Sequence, residues 1–388
     1  MKDITITDSI RYVGADDTTI DLFESQYVVP NGVSYNSYVI LDDKVAVMDT
    51  VDTRATQQWL DNLDRVLQGR TVDYLIVSHM EPDHAANIQL LAEKYPTMQV
   101  VGNAKTFTMI GQFFTVDLTG RSIVVKEGDT LCLGRHTLQF FMAPMVHWPE
   151  VMVSYEQTEK ILFSADGFGK FGALSVDEPW DCEARRYYFN IVGKYGAQVQ
   201  ALLKKAASLD IAIICPLHGP ILKENLGYYI GKYDLWSRYE PEDQGVVIAY
   251  ASIHGHTAEA ARKLAGLLEA KGAPKVVLHD LARCDMAEAV EDAFRYDRLV
   301  LAAASYDGGV FPCMEDFLLH LKAKAYQKRT LALIENGSWA PSAGKCMKAI
   351  LEGMKALNIV EPFISIRSSM KPADETALEA LANRLTEA

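Results

Sequence analysis

Four short apolar runs in the first 240 residues each lead into a metal-binding type of residue, and this repetition constrains the fold more than any other feature. Tyr74-Leu-Ile-Val77 runs into Ser78-His-Met-Glu-Pro-Asp-His84. Leu138–Phe141 runs into Ala143-Pro-Met-Val-His147, Ile161–Phe163 into Ser164-Ala-Asp166, and Ile211–Ile214 into Cys215-Pro-Leu-His218. Apolar runs this short, bounded by turn residues, read as buried strands. A loop leaving a buried strand aims alternate side chains the same way, so positions 79, 81 and 83 converge, and Pro82 stiffens the turn before a helix. A lone histidine after a strand is more often structural. The chain has nine histidines, and His79, His84, His147 and His218 all fall at these strand ends. With Glu81, Asp83 and Asp166 beside them, they predict a two-metal site. Cys215, just before Pro216, reads as a buried strand-end thiol.

The polar stretch Arg238–Gly245, punctuated by Pro241 and Gly245, predicts a boundary, giving domains over 1–244 and 245–388. Before it, Val33–Thr50 reads as two strands around Asp42-Asp43, and helices are expected over 55–67, 85–94 and 183–205. After it the rhythm becomes strand–loop–helix. Strands at Val246–Tyr250, Arg298–Ala302 and Thr330–Ile334 are expected to precede helices over 257–271, 314–324 and 343–357. Such alternation calls for a doubly wound parallel sheet.

The net charge of −13 and pI near 5.2 leave no electrostatic footprint for nucleic acid or anionic lipid. No apolar stretch reaches the ~18 residues of a membrane span, and Met1–Ile10 lacks the apolar core of a secretion signal. The six cysteines are scattered without a CxxC pair, which argues against a disulfide framework, a zinc ribbon and an appended rubredoxin-type site. A cytoplasmic protein is expected.

Three loops of the C-terminal half suggest a second ligand. Ser252-Ile-His254-Gly255-His256-Thr257 precedes a helix, where hydroxyls and the helix N-terminus favour a phosphate. No GKS/T follows and no GxGxxG occurs in this half of the chain, so neither a P-loop nor a dinucleotide fingerprint is present there. Ser305-Tyr306-Asp307-Gly308-Gly309 and Asn336-Gly337-Ser338-Trp339 each place an aromatic among glycines past a parallel strand, the edge where doubly wound sheets bind ligands. Tyr306 or Trp339 would cover a flat ring, or Trp339 would serve packing alone.

HxExDH followed by His, Asp and His at strand ends resembles the metallo-β-lactamase fold, whose members usually carry HxHxDH. Here Glu81 replaces the second histidine, and mixed imidazole–carboxylate ligation suits iron better than thiolate- or imidazole-rich sets. With the three C-terminal loops, the chain resembles flavodiiron proteins over essentially its whole length. The resemblance implies an αββα sandwich followed by a flavodoxin-like doubly wound parallel sheet that binds FMN. It implies two non-haem irons, one at His79, Glu81 and His147 and one at Asp83, His84 and His218, with Asp166 bridging. Family members differ at the position matching His84. It implies reduction of dioxygen to water, of nitric oxide to nitrous oxide, or of both, with rubredoxin or a similar carrier as electron donor. It also implies a head-to-tail homodimer or a dimer of such dimers, and one tyrosine, Tyr187 or Tyr188, near the irons. Many family members carry a pocket histidine in the stretch that here reads Phe23-Glu-Ser-Gln-Tyr27. Two alternatives stand beside this reading: a binuclear zinc hydrolase with a regulatory flavodoxin-like domain, and an electron carrier whose first domain is a docking scaffold.

Overall fold

The structure, a computed structural model, describes residues 4–387. It divides into two compact units, one formed by Met1–Tyr188 and Ala197–Asp234, the other by Phe189–Gly196 and Leu235–Ala388.

The first unit is built on two facing sheets. One has six strands in the order Ile10–Tyr12, Tyr38–Ile40, Ala46–Met48, Tyr74–Ile76, Gln99–Gly102 and Ser122–Val124. The other has five, in the order Thr130–Cys132, Thr137–Met142, Met152–Glu156, Ile161–Phe163 and Ile213–Cys215. Their inner faces meet in one apolar core that joins Tyr38, Met48, Ile76 and Val101 to Phe140, Met152, Ile161 and Phe163. Each such side chain, fully buried, contributes about 1.5–3 kcal/mol.

Helices cover the outer faces. Thr56–Leu67 buries Trp59, Leu63 and Leu67, spaced four residues apart and so on one face. It ends where Gln68 turns left-handed, at φ 50°. Gly196–Ala206 lays Val199, Leu202, Leu203 and Ala206 beside Phe141, Val153 and Leu162 of the second sheet. This is the helix–sheet–sheet–helix sandwich expected.

Several boundaries differ from expectation. Val33–Thr50 holds three strands, the first pairing with Ala15–Asp17 in a separate two-stranded sheet. The helix expected over 85–94 is two, Pro82–Ala85 and Ile88–Lys94, separated at Asn87. The Asn87 side chain donates to Val51 O at 2.7 Å and accepts from Thr56 Oγ1 at 2.8 Å, which ties this point to the loop below. The helix expected over 183–205 breaks into Trp180–Tyr187 and Gly196–Ala206, with wider and tighter turns between them. The strand expected from Ile211 begins at Ile213.

The second unit is a parallel sheet in the order Val276–Asp280, Asp243–Ala251, Tyr296–Tyr306, Thr330–Asn336 and Asn358–Ile366. Numbered along the chain, that order is 2-1-3-4-5, the flavodoxin-like one. Strand Asp243–Ala251, flanked by strands on both sides, is buried from Val246 through Ala251, as a sheet covered on both faces requires. Helices His256–Ala270 and Pro372–Glu387 bury Leu264, Leu268, Leu378 and Leu385 on one face. The two edge strands escaped the sequence pattern because most of their residues are half-buried or exposed, and Pro362 interrupts the second. The helix expected to Leu357 ends at Leu351. Among the described residues, no helix is long and apolar enough to cross a membrane.

Candidate metal centre and cofactor cavity

All seven residues singled out by sequence as metal ligands meet at one end of the sandwich, because each follows a strand that ends there. They form two groups, His79, Glu81, His147 and Asp166, and Asp83, His84 and His218, with one ligand atom from each member lying within 4.8 Å of the others in its group. In the first, His147 Nε2 stands 3.0 Å from both Glu81 Oε2 and Asp166 Oδ2, and His79 Nε2 stands 3.3 Å from the same two atoms. In the second, Asp83 Oδ2 lies 3.2 Å from His84 Nε2 and 3.1 Å from His218 Nε2. Asp166 faces both groups, since its Oδ1 is 3.3 Å from His84 Nε2.

The loop that presents His79 is held from below by Asp49, whose Oδ1 accepts from Ser78 N at 2.6 Å. Burial pushes the Asp49 carboxyl up to about 6, against the pull of those amide bonds. Asp83 and Asp166 are buried, and imidazole nitrogens of the site lie 3.0 to 3.3 Å from their carboxylate oxygens. Buried carboxylates cost several kcal/mol unless a cation balances them.

The titration behaviour has the same cause. Burial alone would depress the imidazoles. Asp166 overcomes it at His79, and hydrogen bonds to Asp166 and Glu81 carry His147 up to about 9. The Asp166 carboxyl is held well below its usual range because the charges of His79 and His84 outweigh its burial. The donor set is all imidazole and carboxylate, which fits a pair of iron ions.

Aromatic rings wall the site. Phe23 meets His218 edge-on at 5.4 Å, Trp148 meets His79 at 5.2 Å, and Tyr187 lies 5.5 Å from His218. Of the two tyrosines expected here, Tyr187 thus reaches the site, whereas Tyr188 meets Tyr233 at 5.1 Å. Within Phe23–Tyr27, partial burial and then the charge of Glu81 push the Glu24 carboxyl up to about 7.

Sequence reading missed the residues behind the ligands. His79 Nδ1 meets Glu150 Oε1 at 2.8 Å, and His218 Nδ1 meets Ser34 O at 2.7 Å. Glu150 lies three positions past His147 in the same loop, so a second ligand-type residue there was the available signal.

In the second unit, a cavity of about 800 Å³ opens at the carboxyl ends of the central strands. It is lined by Ser252, His254, His256, Thr257, Ser305, Tyr306, Asp307, Gly308, Asn336, Gly337, Ser338 and Trp339, all expected. Gly255 and Gly309 are not among the lining residues. Gly255 takes φ 95° just before the helix, a turn that favours glycine. Gly309 instead pairs with Tyr306 in a short hairpin. Any side chain at Gly337 would meet Pro341 Cα at 2.9 Å.

Ser305 is already engaged, accepting from Ser342 N at 2.8 Å. Trp339 is 87% exposed, so it does not serve core packing. Ser368 also lines the cavity and hydrogen-bonds Asn336. It was missed with the strand that precedes it. The volume, a helix N-terminus at one end and exposed Tyr306 and Trp339 at the other fit a flat, phosphate-bearing group.

Residues 33–219 match the family model described as "ODP family beta lactamase". A nitric oxide reductase of Moorella thermoacetica is 30% identical over 375 residues, covering 92% of each chain. A rubredoxin-oxygen oxidoreductase of Megalodesulfovibrio gigas is 27% identical and covers 100% of this chain and 98% of its own. Among solved structures, rubredoxin oxygen:oxidoreductase from Desulfovibrio gigas superposes with a TM-score of 0.93 at 26% identity, covering 100% of this chain and 98% of that one. The flavodiiron protein of Giardia intestinalis has the same fold, with a TM-score of 0.93 at 23% identity and coverage of 100% and 96%. Similarity that runs the length of both units, on a fold and a donor set of this kind, means that the chain belongs to the flavodiiron protein family.

Proposed function

We propose that this chain is a cytoplasmic oxidoreductase that reduces dioxygen to water, nitric oxide to nitrous oxide, or both. One observation carries the reading: Asp166 faces two convergent sets of imidazoles and carboxylates at once. In this proposal His79, Glu81 and His147 hold one iron, Asp83, His84 and His218 hold the other, and Asp166 bridges them. The same proposal assigns iron to a domain over 1–244 and FMN to one over 245–388. When bound, two ferrous ions and a reduced FMN supply the four electrons that convert dioxygen to two waters, or the two that convert two nitric oxides to nitrous oxide and water.

The protein's own part is to charge, shape and dry the site. Glu81, Asp83 and Asp166 provide three negative charges against the metal pair, which makes the donor set harder than a purely imidazole one. The mixed set disfavours a zinc hydrolase. Phe23, Trp148 and Tyr187 surround the ligands with apolar ring surface that a small uncharged diatomic tolerates better than water does. Burial, and then the charges of Asp166 and Asp83, push the Tyr187 hydroxyl well up. It therefore meets substrate as a hydrogen-bond donor.

Ser252, Thr257 and the helix N-terminus would take the FMN phosphate, while Tyr306 and Trp339 would flank its ring. Electrons would come from rubredoxin or a similar carrier. A two-fold head-to-tail homodimer, alone or paired again, would place an active site at each of two equivalent positions. Metal analysis with a visible spectrum tests the reading: about two irons per chain with flavin supports it, whereas zinc alone or flavin alone refutes it.

A further inference from the structure

The two halves of the metal centre are not equivalent, and the difference lies behind the ligands. His79 turns its Nδ1 to Glu150 Oε1 at 2.8 Å, and the same oxygen accepts from Met80 N at 2.8 Å. Glu150 is fully buried. Asn103 Nδ2 fixes its backbone, donating to Glu150 O at 2.5 Å. The other half has no counterpart among the described residues. His218 Nδ1 faces the neutral carbonyl of Ser34 at 2.7 Å, and His84 Nδ1 has no hydrogen bond. Asp49 is also near, but it accepts from the backbone amides of Ser78 and His79.

A carboxylate on the remote nitrogen makes an imidazole a more basic, more anionic ligand, and loss of such partners typically costs 10–100-fold in metal affinity. Resting on the diiron reading, we infer that Glu150 is a positioning residue that makes the His79, Glu81 and His147 half the tighter of the two iron sites. The half at Asp83, His84 and His218 gives up its iron first.

The test follows iron release from the FMN- and iron-loaded protein to a ferrous chelator under anaerobic reducing conditions. Release should be biphasic, one iron per phase, with Asp83→Asn accelerating the fast phase. Glu150→Gln keeps the shape and removes the charge. It should accelerate the slow phase roughly 10–100-fold and leave the fast phase unchanged. Glu150→Asp, which keeps the charge on a shorter arm, should stay closer to the parent protein, and it decides the matter if E150Q does not fold.

Single-phase release from the parent protein overturns the inference. So does an E150Q slow phase at the parent rate, or equal acceleration of both phases by Glu150→Asp. A parent protein that takes up no iron overturns the diiron reading as well, which separates the two failures.

Discussion

His84 Nε2 and His218 Nε2 stand 3.0 Å apart, both buried, and Asp83 Oδ2 lies 3.2 and 3.1 Å from them. Two imidazole nitrogens at that separation are compatible only with a proton or a cation between them, since two lone pairs repel. A buried triangle of two nitrogens and a carboxylate oxygen is thus well suited to hold a cation.

That arrangement predicts how the iron-free protein responds to pH. His79, His84 and His147 have folded-state pKa values above their ordinary one, His147 at about 9. Their linked stabilisation is complete below the unfolded value of ~6.5 and disappears as pH rises through the folded values. The melting temperature of iron-free protein should fall from pH 6.5 to 9, whereas iron-loaded protein, whose imidazoles are already deprotonated, should show little of this fall. Equal pH dependence in both forms contradicts the account.

Replacing Asp166 should separate the two cofactors. Asp166→Ala removes the one carboxylate facing both ligand groups, and reductase activity should drop by at least about 100-fold. FMN content should stay near the parent level, because Asp166 and the cavity belong to different units. Full turnover in the variant would show that Asp166 does not bridge.

Trp339 offers a direct handle on the cavity. At 87% exposure it makes almost no packing contact of its own, so Trp339→Ala should leave the melting temperature of the flavin-free protein within a degree or two. FMN affinity should weaken by about tenfold, from the loss of one aromatic face. Unchanged affinity, measured by flavin fluorescence quenching, would place the ring elsewhere.

Electron supply is the fourth expectation. The sequence carries no CxxC pair, and its one GxGxxG stretch, Gly167–Gly172, follows Asp166 in the metal-site loop and opens no helix, so NADH alone should reduce the flavin slowly, and rubredoxin with its reductase should restore rapid turnover. Rapid carrier-free reduction by NADH would refute this.

How legible the site was depended on sequence distance. His79, Glu81, Asp83 and His84 lie within one loop, and His147, Asp166 and His218 repeat its strand-end placement, so the pattern could be read directly. The partners behind them could not: Glu150 is 71 positions from His79, and Ser34 is 184 from His218. Those pairings arise only when the sheets close. Tyr187 and Tyr188 are neighbours at a helix end, where one residue turns the side chain by ~100°, and only packing selects Tyr187. In the second unit, the largely buried strands stood out as apolar runs, whereas the edge strands Val276–Asp280 and Asn358–Ile366 did not, since most of their residues are half-buried or exposed.

The central claim is that electrons leave the flavin through the metal pair, and single-turnover reoxidation tests it most directly. Protein loaded with FMN, with and without iron, is reduced anaerobically and mixed in a stopped flow with dioxygen or with nitric oxide. With iron in place, the flavin should be reoxidised at least about 100-fold faster by one or both gases than in iron-free protein. Equal rates with and without iron for both gases would mean that the metal site takes no part in the reaction.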